Sequence, residues 1–240
     1  MSAVLSFPSL QTAEFHQSVL HPAPRVAVFD CDGTLWSGDA GSGFMKWTIE
    51  SGLVSREVVD FIDSRYRAYS RGEVTEAAIC GEMVQMYQGL HEDEMRRVAR
   101  VFFDKFIRPH IFSELRSLIE QLHTLGTEIW AVSSTNDWVI EEGVRDFGIP
   151  ADHVLAAKVR VTSGIVTNHL LDVPTDEAKV AALHRAGVHA PDVVFGNSVH
   201  DAAMLAIAGR PFAVNPSPAL VTQAQASGWP IYLPSAVREG

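Results

Sequence analysis

Short apolar segments alternate with amphipathic helical segments along most of this chain, and that alternation constrains its fold more than any other feature. Apolar runs of strand length, each closed by a polar or turn residue, occupy 25–30, 127–135, 192–198 and 211–215. Helical periodicity marks the stretches 113–126, 137–149, 175–188, 200–209 and 217–228. Strands that alternate with helices form parallel sheets covered by helices on both faces. The pattern therefore predicts an α/β fold built on a parallel sheet.

The same patterning divides the chain into three parts. Residues 1–24 are interpreted as an N-terminal arm that ends in the proline-rich sequence HPAPR. Residues 25–38 and 110–240 form the predicted α/β core domain. Between them, residues 39–109 repeat apolar residues at helical spacing without a strand pattern, which predicts a small helical domain inserted after the first strand. A β-hairpin is predicted at 159–171, within the core.

Charge and composition argue against several classes of protein. The 240 residues carry 19 basic and 29 acidic side chains, a net charge of −10, whereas a nucleic-acid-binding domain would show a basic surface. No apolar run is long enough to cross a bilayer, and the start of the chain lacks the pattern of a secretory signal. The two cysteines, Cys31 and Cys80, are too few for a disulfide framework, and we expect a cytoplasmic protein. Nothing in the composition indicates an oligomeric state.

Polar residues gather where the predicted strands end. The first strand runs into DCDGT at 30–34, the second into the serine pair at 133–134, and the third into GNSVHD at 196–201. Lys179 lies near the start of the helix predicted at 175–188. Because ligands of parallel α/β sheets bind at the carboxyl ends of the strands, these four segments are predicted to form one site.

This ordered set of segments resembles the haloacid dehalogenase superfamily of phosphatases, and more closely its phosphoserine-phosphatase-like branch. The resemblance spans roughly residues 25–235, and its DxDGT motif is the most specific part. It implies a Rossmann-like parallel sheet sandwiched by helices, with residues 39–109 as a small helical cap of the C1 type. It also implies hydrolysis of a small phosphorylated metabolite, a phosphate monoester.

The resemblance implies a role for each of the polar residues. Asp30 corresponds to the nucleophile that forms an aspartyl-phosphate, and Asp32 to the general acid and base. Phosphate binding falls on Ser133, Ser134 and Lys179. Phosphoryl transfer needs a nucleophile that attacks phosphorus, a proton donor for the leaving oxygen and positive charge near the other phosphoryl oxygens.

A magnesium ion is the cofactor that the resemblance implies. Its ligands correspond to the Asp30 carboxylate, the Asp32 backbone carbonyl and the last motif, where Asn197 and Asp201 are the candidates. The family commonly has an aspartate where this chain has Asn197, whose amide oxygen is uncharged. Hard oxygen ligands and retained waters are what Mg²⁺ prefers.

Each motif also allows a plain structural explanation when it stands alone. An Asp-Gly pair after a strand is commonly only a turn. Ser133 could cap a helix, and Lys179 could be a solvated helix lysine, with Lys158 as the other candidate for the phosphate. Cys31 follows the nucleophile but is expected to point into the core of the sheet.

Substrate choice is predicted to depend on the helical insert. Phosphoserine phosphatases carry a glutamate nine residues after the nucleophile, where this chain has Asp39. At the position of their carboxylate-binding arginine we place Gly81, which predicts that phosphoserine is a poor substrate. Other arginines that could substitute are Arg65, Arg67 and Arg71. Aromatic residues lie near or within the insert and allow two interpretations. With Asp39 they favour an amine or quaternary ammonium group on the substrate, or they form the core of the cap. They are Trp36, Trp47, Tyr66 and Tyr69.

Two other functions use the same residues. A phosphotransferase or mutase would pass the phosphoryl group to an acceptor other than water. A catalytically impaired relative that only binds a phosphorylated ligand is the second alternative, and Asn197 is the residue that favours it.

Overall fold

A computed structural model describes residues 8–238 of the chain, and its central feature is a seven-stranded sheet with the order β4-β3-β2-β1-β5-β6-β7. The strands are β1 (Val26–Phe29), β2 (Glu128–Asn136), β3 (Val154–Thr162), β4 (Ile165–Asp172), β5 (Val193–Gly196), β6 (Arg210–Val214) and β7 (Ile231–Tyr232). All neighbours run parallel except β3 and β4, which form an antiparallel hairpin. The predicted α/β class and its mostly parallel sheet are confirmed.

Eleven α-helices are present within the described residues. They are α1 (Thr12–Leu20), α2 (Ala40–Glu50), α3 (Arg56–Ser70), α4 (Glu76–Gln85), α5 (Glu92–Phe102), α6 (Ser113–Thr124), α7 (Asp137–Arg145), α8 (Glu177–Arg185), α9 (Ala202–Ala206), α10 (Pro218–Ser227) and α11 (Ser235–Arg238). Between residues 8 and 238, no helix is long and apolar enough to span a membrane.

Strand β1 shows why the central strands are apolar on both sides. Phe29 stacks on Phe195 of β5 with ring centroids 4.2 Å apart, in the core on one face of the sheet. Val28 packs into a second core with Leu183 of α8 on the opposite face. Both faces are covered by helices, so each residue of the strand loses water on folding whichever way it points.

The segment before β1 packs against the sheet. Phe15 of α1 is fully buried, and its ring stacks on Tyr232 of β7 with centroids 4.0 Å apart. Residues 1–7 of the predicted N-terminal arm lie outside the described residues. Strand β7 itself is a short element that the sequence pattern did not predict, and it extends the sheet beyond β6.

The hairpin begins earlier than its pattern predicted. The sequence placed its first strand at Val159, but β3 starts at Val154 because its first half pairs in parallel with β2. Only its second half pairs with β4. One strand therefore belongs to both the main sheet and the hairpin.

Helices α2 to α5 lie between β1 and α6 in the chain, and this segment is called the insert. Their buried side chains, such as Phe44 and Ile79, join the same apolar core as one face of the sheet. Ion pairs join α5 to α7, as in the 2.7 Å contact between Arg96 and Glu141. The insert is thus packed directly against the α/β core.

Candidate active site

The turn after β1 carries the two aspartates to the carboxyl edge of the sheet. The Asp30 backbone amide donates to the Phe195 carbonyl at 2.9 Å, which continues the pairing of β1 with β5 for one more residue. The chain then turns through Gly33, whose φ of +76° favours glycine. Cys31 is fully buried between the two aspartates, as expected.

Asp30 lies at the buried floor of the site. Its Oδ1 accepts a hydrogen bond from Lys179 Nζ at 2.8 Å, and its Oδ2 accepts one from the Thr34 hydroxyl at 2.8 Å. Lys179 is only 2% exposed and also donates to Asp201 Oδ1 at 2.5 Å. One lysine therefore sits between two buried carboxylates.

The charges of this trio perturb one another. Burial and the negative charge of Asp201 raise the pKa of Asp30 to about 6, although Lys179 opposes them. Burial lowers the pKa of Lys179, but the two carboxylates outweigh it and hold that pKa well above its usual range. Lys179 therefore keeps its proton and its positive charge.

Of the two candidate lysines, Lys179 is the one that enters the site. Lys158 lies on β3 with half of its side chain exposed, and its Nζ is 3.5 Å from Asp137 Oδ2. The helix start at α8 places Lys179 beneath the end of β2, where Nζ also donates to the Val132 carbonyl at 3.3 Å.

Asp32 is held by three donors. Its Oδ1 accepts from Trp36 Nε1 and from the Ala40 backbone amide, each at 2.7 Å, and its Oδ2 accepts from the Thr135 hydroxyl at 2.7 Å. Burial raises the pKa of Asp32 to about 7, and the nearby negative charge of Asp39 contributes. Trp36 is fully buried, so it positions Asp32 and does not face a ligand.

Asp201 organises the loop after β5. Its Oδ2 accepts from the backbone amides of Asn197 and Ser198 at 2.9 Å each and from the Ser198 hydroxyl at 3.3 Å, while its Oδ1 accepts a hydrogen bond from Lys179 Nζ at 2.5 Å. Asp201 is fully buried, and both of its oxygens have protein partners.

The oxygen atoms available for a cation are mostly neutral. Within residues 8–238, no group of three His, Cys, Asp or Glu side chains is arranged to hold a metal ion. Asn197 packs so close to the turn that a Cβ on Gly33 would clash with its side-chain amide. The Asp30 carboxylate, the Asp32 backbone carbonyl and the Asn197 amide each offer an oxygen of the hard type that Mg²⁺ prefers, and bound waters ordinarily complete its coordination.

A cavity of about 230 Å³ opens above these residues. Ser133 and Ser134 line it from the end of β2, together with Asp30, Lys179 and Asn197. The insert closes it from the other side with Asp39, Tyr66, Tyr69, Glu76, Cys80 and Met83. The structure thus brings the predicted strand-end residues and part of the insert together around one space.

The predicted specificity residues divide into two groups. Asp39 lines the cavity, where it also caps α2 by accepting from the Ser42 amide at 2.9 Å. Tyr66 and Tyr69 line it too. Trp36 and Trp47 do not; Trp47 packs against the aromatic rings of the insert instead.

The position assigned to the family's arginine lies outside the cavity. A Cβ on Gly81 would meet Leu170 of the hairpin at 3.0 Å, so this side of α4 faces β4. The three alternative arginines are held on the insert, where Arg65 binds Glu82, Arg67 binds the Asp63 carbonyl and Arg71 binds Glu73. None of these four positions lines the cavity in the described residues.

Several lining residues were not predicted from the sequence, and three of them make polar contacts within the site. Thr135 binds Asp32, Glu76 accepts from the Tyr69 hydroxyl, and His200 Nε2 lies 3.7 Å from Glu76 Oε2 across the junction of insert and core. Glu76 follows the N-cap Thr75, a place where an acidic residue ordinarily favours the helix start. Its sequence context therefore gave no sign that it lines the cavity.

Comparisons with known proteins relate this chain to phosphatases. A sequence profile described as haloacid dehalogenase-like hydrolase matches residues 27–206. The chain is 25% identical over 218 residues to a histidinol-phosphatase of Neisseria meningitidis, covering 86% of this chain and 97% of that protein. It is 25% identical over 192 residues to a phosphoserine phosphatase of Streptococcus thermophilus, covering 76% and 88%.

Solved structures show a similar architecture. A protein of unknown function from Bordetella pertussis Tohama I superposes with a TM-score of 0.78 at 26% identity, covering 87% of this chain and 97% of that one. A substrate-bound phosphoserine phosphatase superposes with a TM-score of 0.59 at 18% identity, covering 87% and 92%. At that identity the second likeness concerns the fold alone.

Proposed function

This chain belongs to the haloacid dehalogenase-like hydrolase family and is a phosphoric monoester hydrolase, and we propose that it works through an aspartyl-phosphate on Asp30 with bound Mg²⁺. The family and its phosphoserine-phosphatase-like branch are those that the four motifs predicted. The observation that carries the proposal is the buried Asp30 carboxylate, 2.8 Å from the Lys179 ammonium at the floor of the cavity.

The proposed reaction has two steps. An Asp30 oxygen forms a bond to phosphorus while the bond between phosphorus and the ester oxygen breaks, and Asp32 gives its proton to the departing alkoxide. A water then attacks the phosphorus of the acyl phosphate and passes a proton back to Asp32, while the bond between phosphorus and the Asp30 oxygen breaks. Inorganic phosphate leaves, and Asp30 is a free carboxylate again. Trp36, Ala40 and Thr135 support the role of Asp32, because their three hydrogen bonds fix its carboxyl group in the cavity that Asp30 also lines.

Phosphate binding is assigned to Ser133, Ser134 and Lys179. Lys179 already faces two carboxylates, Asp30 and Asp201, and a phosphate dianion would add two more negative charges. The site therefore needs further positive charge before a phosphate can enter it. Bound Mg²⁺ would supply that charge and polarise the phosphoryl oxygens.

We assign the metal to Asp30, the Asp32 backbone carbonyl and Asn197. Asp201 is assigned a positioning role, because it is fully buried and does not line the cavity, whereas Asp30 does. Its oxygens bind Lys179 and the backbone amides of the Asn197 loop. The neutral amide of Asn197 leaves the metal with one fewer charged ligand than an aspartate would provide.

The substrate is proposed to be a small amino-alcohol phosphate. Histidinol phosphate and phosphoserine, the compounds after which two relatives are named, both carry an amine, and phosphoserine alone also carries a carboxylate. Asp39, which lines the cavity, suits the amine. Both cysteines are free thiols, which supports a cytoplasmic place of action for this enzyme.

The test is hydrolysis of p-nitrophenyl phosphate by the whole chain. Activity should require Mg²⁺, disappear with EDTA and return when Mg²⁺ is added in excess. Absence of hydrolysis of this ester and of phosphorylated metabolites with Mg²⁺ would contradict the proposed function and favour a protein that only binds a phosphorylated ligand.

A further inference from the structure

We propose that Glu76 determines substrate specificity by binding the ammonium group of the leaving alcohol, so that the enzyme selects amino-alcohol phosphates without a carboxylate. This deepens the proposed function and depends on it for the identity of the cavity. Glu76 is the first residue of α4, on the insert side of the cavity opposite the nucleophile.

The carboxylate of Glu76 is oriented by its neighbours. The Tyr69 hydroxyl donates to its Oε2, and the Cys80 thiol lies 3.5 Å from its Oε1. The side chain is 16% exposed, and it lines the cavity. A phenol can orient a carboxylate in this way without neutralising it, so the negative charge remains available to a ligand.

The insert side of the cavity is negative. Asp39, Glu76 and Cys80 line the same cavity, and burial together with the charges of the two carboxylates raises the pKa of the Cys80 thiol. Facing Glu76 from the core is His200, whose Nδ1 is 2.8 Å from Asp176 Oδ1 and whose Nε2 is 3.7 Å from Glu76. The cavity's lysine, Lys179, is bound by two carboxylates at the floor.

Aromatic rings complete a surface suited to a cation. Tyr66 and Tyr69 line the same side of the cavity, with ring centroids 6.0 Å apart and planes inclined by 55°. The faces of such rings attract ammonium groups, and more strongly where water is excluded. The Tyr66 ring centroid already lies 5.8 Å from the Lys46 ammonium, and the Tyr69 hydroxyl binds Glu76, so a cation bound to Glu76 would lie close to Tyr69.

The same arrangement disfavours a carboxylate on the substrate. Arg65 is engaged by three hydrogen bonds to Glu82, and Arg71 by two to Glu73, so neither guanidinium faces the cavity. A substrate carboxylate would instead approach Glu76 and Asp39. Repulsion of that kind discriminates between ligands as effectively as attraction.

The experiment compares phosphoethanolamine with propyl phosphate, in which a methyl group replaces the ammonium. The wild-type enzyme should have a higher kcat/KM for phosphoethanolamine, and phosphoserine should have no advantage over it. In Glu76→Gln, the ratio of kcat/KM between the charged and the methyl ester should fall about tenfold to a hundredfold, the size expected for a lost charged hydrogen bond.

The matched control is Glu73→Gln, which removes the same charge from the insert at an exposed position outside the cavity. It should keep the wild-type ratio within about twofold, because Glu73 does not line the cavity and the charge of an exposed side chain is screened by water and salt. An equal loss in both variants would mean that the general field of the insert sets the ratio, which would overturn the role of Glu76.

A binding measurement keeps the inference independent of turnover. Calorimetry measures the affinity of Asp30→Asn, which should not turn over, for phosphoethanolamine. The double variant Asp30→Asn/Glu76→Gln should bind this compound at least about tenfold more weakly. If the wild type hydrolyses p-nitrophenyl phosphate but Glu76→Gln changes neither the ratio nor this affinity, the inference is wrong and the proposed function stands. If no phosphate ester is hydrolysed, the proposed function fails, and the calorimetry alone decides whether Glu76 binds the ammonium.

Discussion

Asp201→Asn should strongly destabilise the fold, because this buried carboxylate has four partners. Lys179 Nζ donates to one oxygen at 2.5 Å, and two backbone amides and the Ser198 hydroxyl donate to the other. The asparagine side chain has one oxygen and one NH₂ group in place of the two carboxylate oxygens. Either Lys179 Nζ or the backbone amides of the loop would then face the NH₂ group, which is a donor. The substitution also removes one of the two charges that stabilise buried Lys179.

The expected magnitude follows from these contacts. Breaking a buried ion pair by removing one partner costs about 3–5 kcal/mol, which includes the penalty of about 1–3 kcal/mol for a buried donor left without an acceptor. In a chain of this size, 1 kcal/mol shifts the melting temperature by roughly 2–4 °C. The Tm of Asp201→Asn should therefore fall by roughly 6–20 °C.

Thermal unfolding followed by circular dichroism in EDTA measures this effect without any contribution from metal binding. The control is Asp60→Asn, an exposed aspartate paired with Arg56 at the surface, which should change the free energy of unfolding by less than about 1 kcal/mol. If Asp201→Asn melts like the wild type in EDTA but has lost Mg²⁺ affinity, Asp201 is a metal ligand and our assignment of a positioning role is wrong.

Three further predictions concern the neighbouring residues. Asn197→Asp should tighten Mg²⁺ binding in a calorimetric titration, because it restores a charged ligand; an unchanged affinity would place Asn197 outside the coordination sphere. Gly33→Ala should lower the free energy of unfolding by more than about 1 kcal/mol and reduce activity, because the φ of Gly33 is +76° and a Cβ there would clash with the Asn197 amide. Wild-type stability and activity in this variant would refute the close approach of Asn197 to Gly33. Burial raises the pKa of Asp137 to about 6, above its unfolded value of about 3.9, so its ionisation costs stability as the pH rises from about 4 through 6. In urea denaturation, the stability of Asp137→Asn relative to the wild type should increase over that range, by roughly 3 kcal/mol at pH 8. A difference that shrinks as the pH rises would contradict the sign.

Residues at the ends of strands were predictable from sequence. Asp30, Ser133 and Asn197 each follow an apolar segment of strand length, and parallel strands bring their carboxyl ends to one edge. Lys179 was predicted from its order in the family's motifs, and its burial between Asp30 and Asp201 supplies the physical reason for a lysine there. Local pattern and topology were sufficient for these positions.

Residues whose partners lie on other elements could not be predicted in this way. Glu76 resembles an ordinary acidic residue at a helix start, and only the packing of the insert against the core turns it toward the cavity. Placing Gly81 at the arginine position depended on an alignment of the insert, whereas the rotation of α4 directs that residue toward Leu170. The two-residue strand β7 is too short for a periodic signal and forms through pairing with β6.

Trapping the intermediate on Asp30 tests the proposed reaction most directly. Quenching the enzyme during turnover of a phosphate ester and reducing it with borohydride converts an aspartyl-phosphate to an alcohol, which peptide mass spectrometry locates. We predict a reduced side chain at position 30, dependent on substrate and Mg²⁺ and absent from Asp30→Asn. Reduction at another residue, or full turnover with no reduced residue under conditions that trap a known acyl phosphate, would contradict nucleophilic catalysis by Asp30.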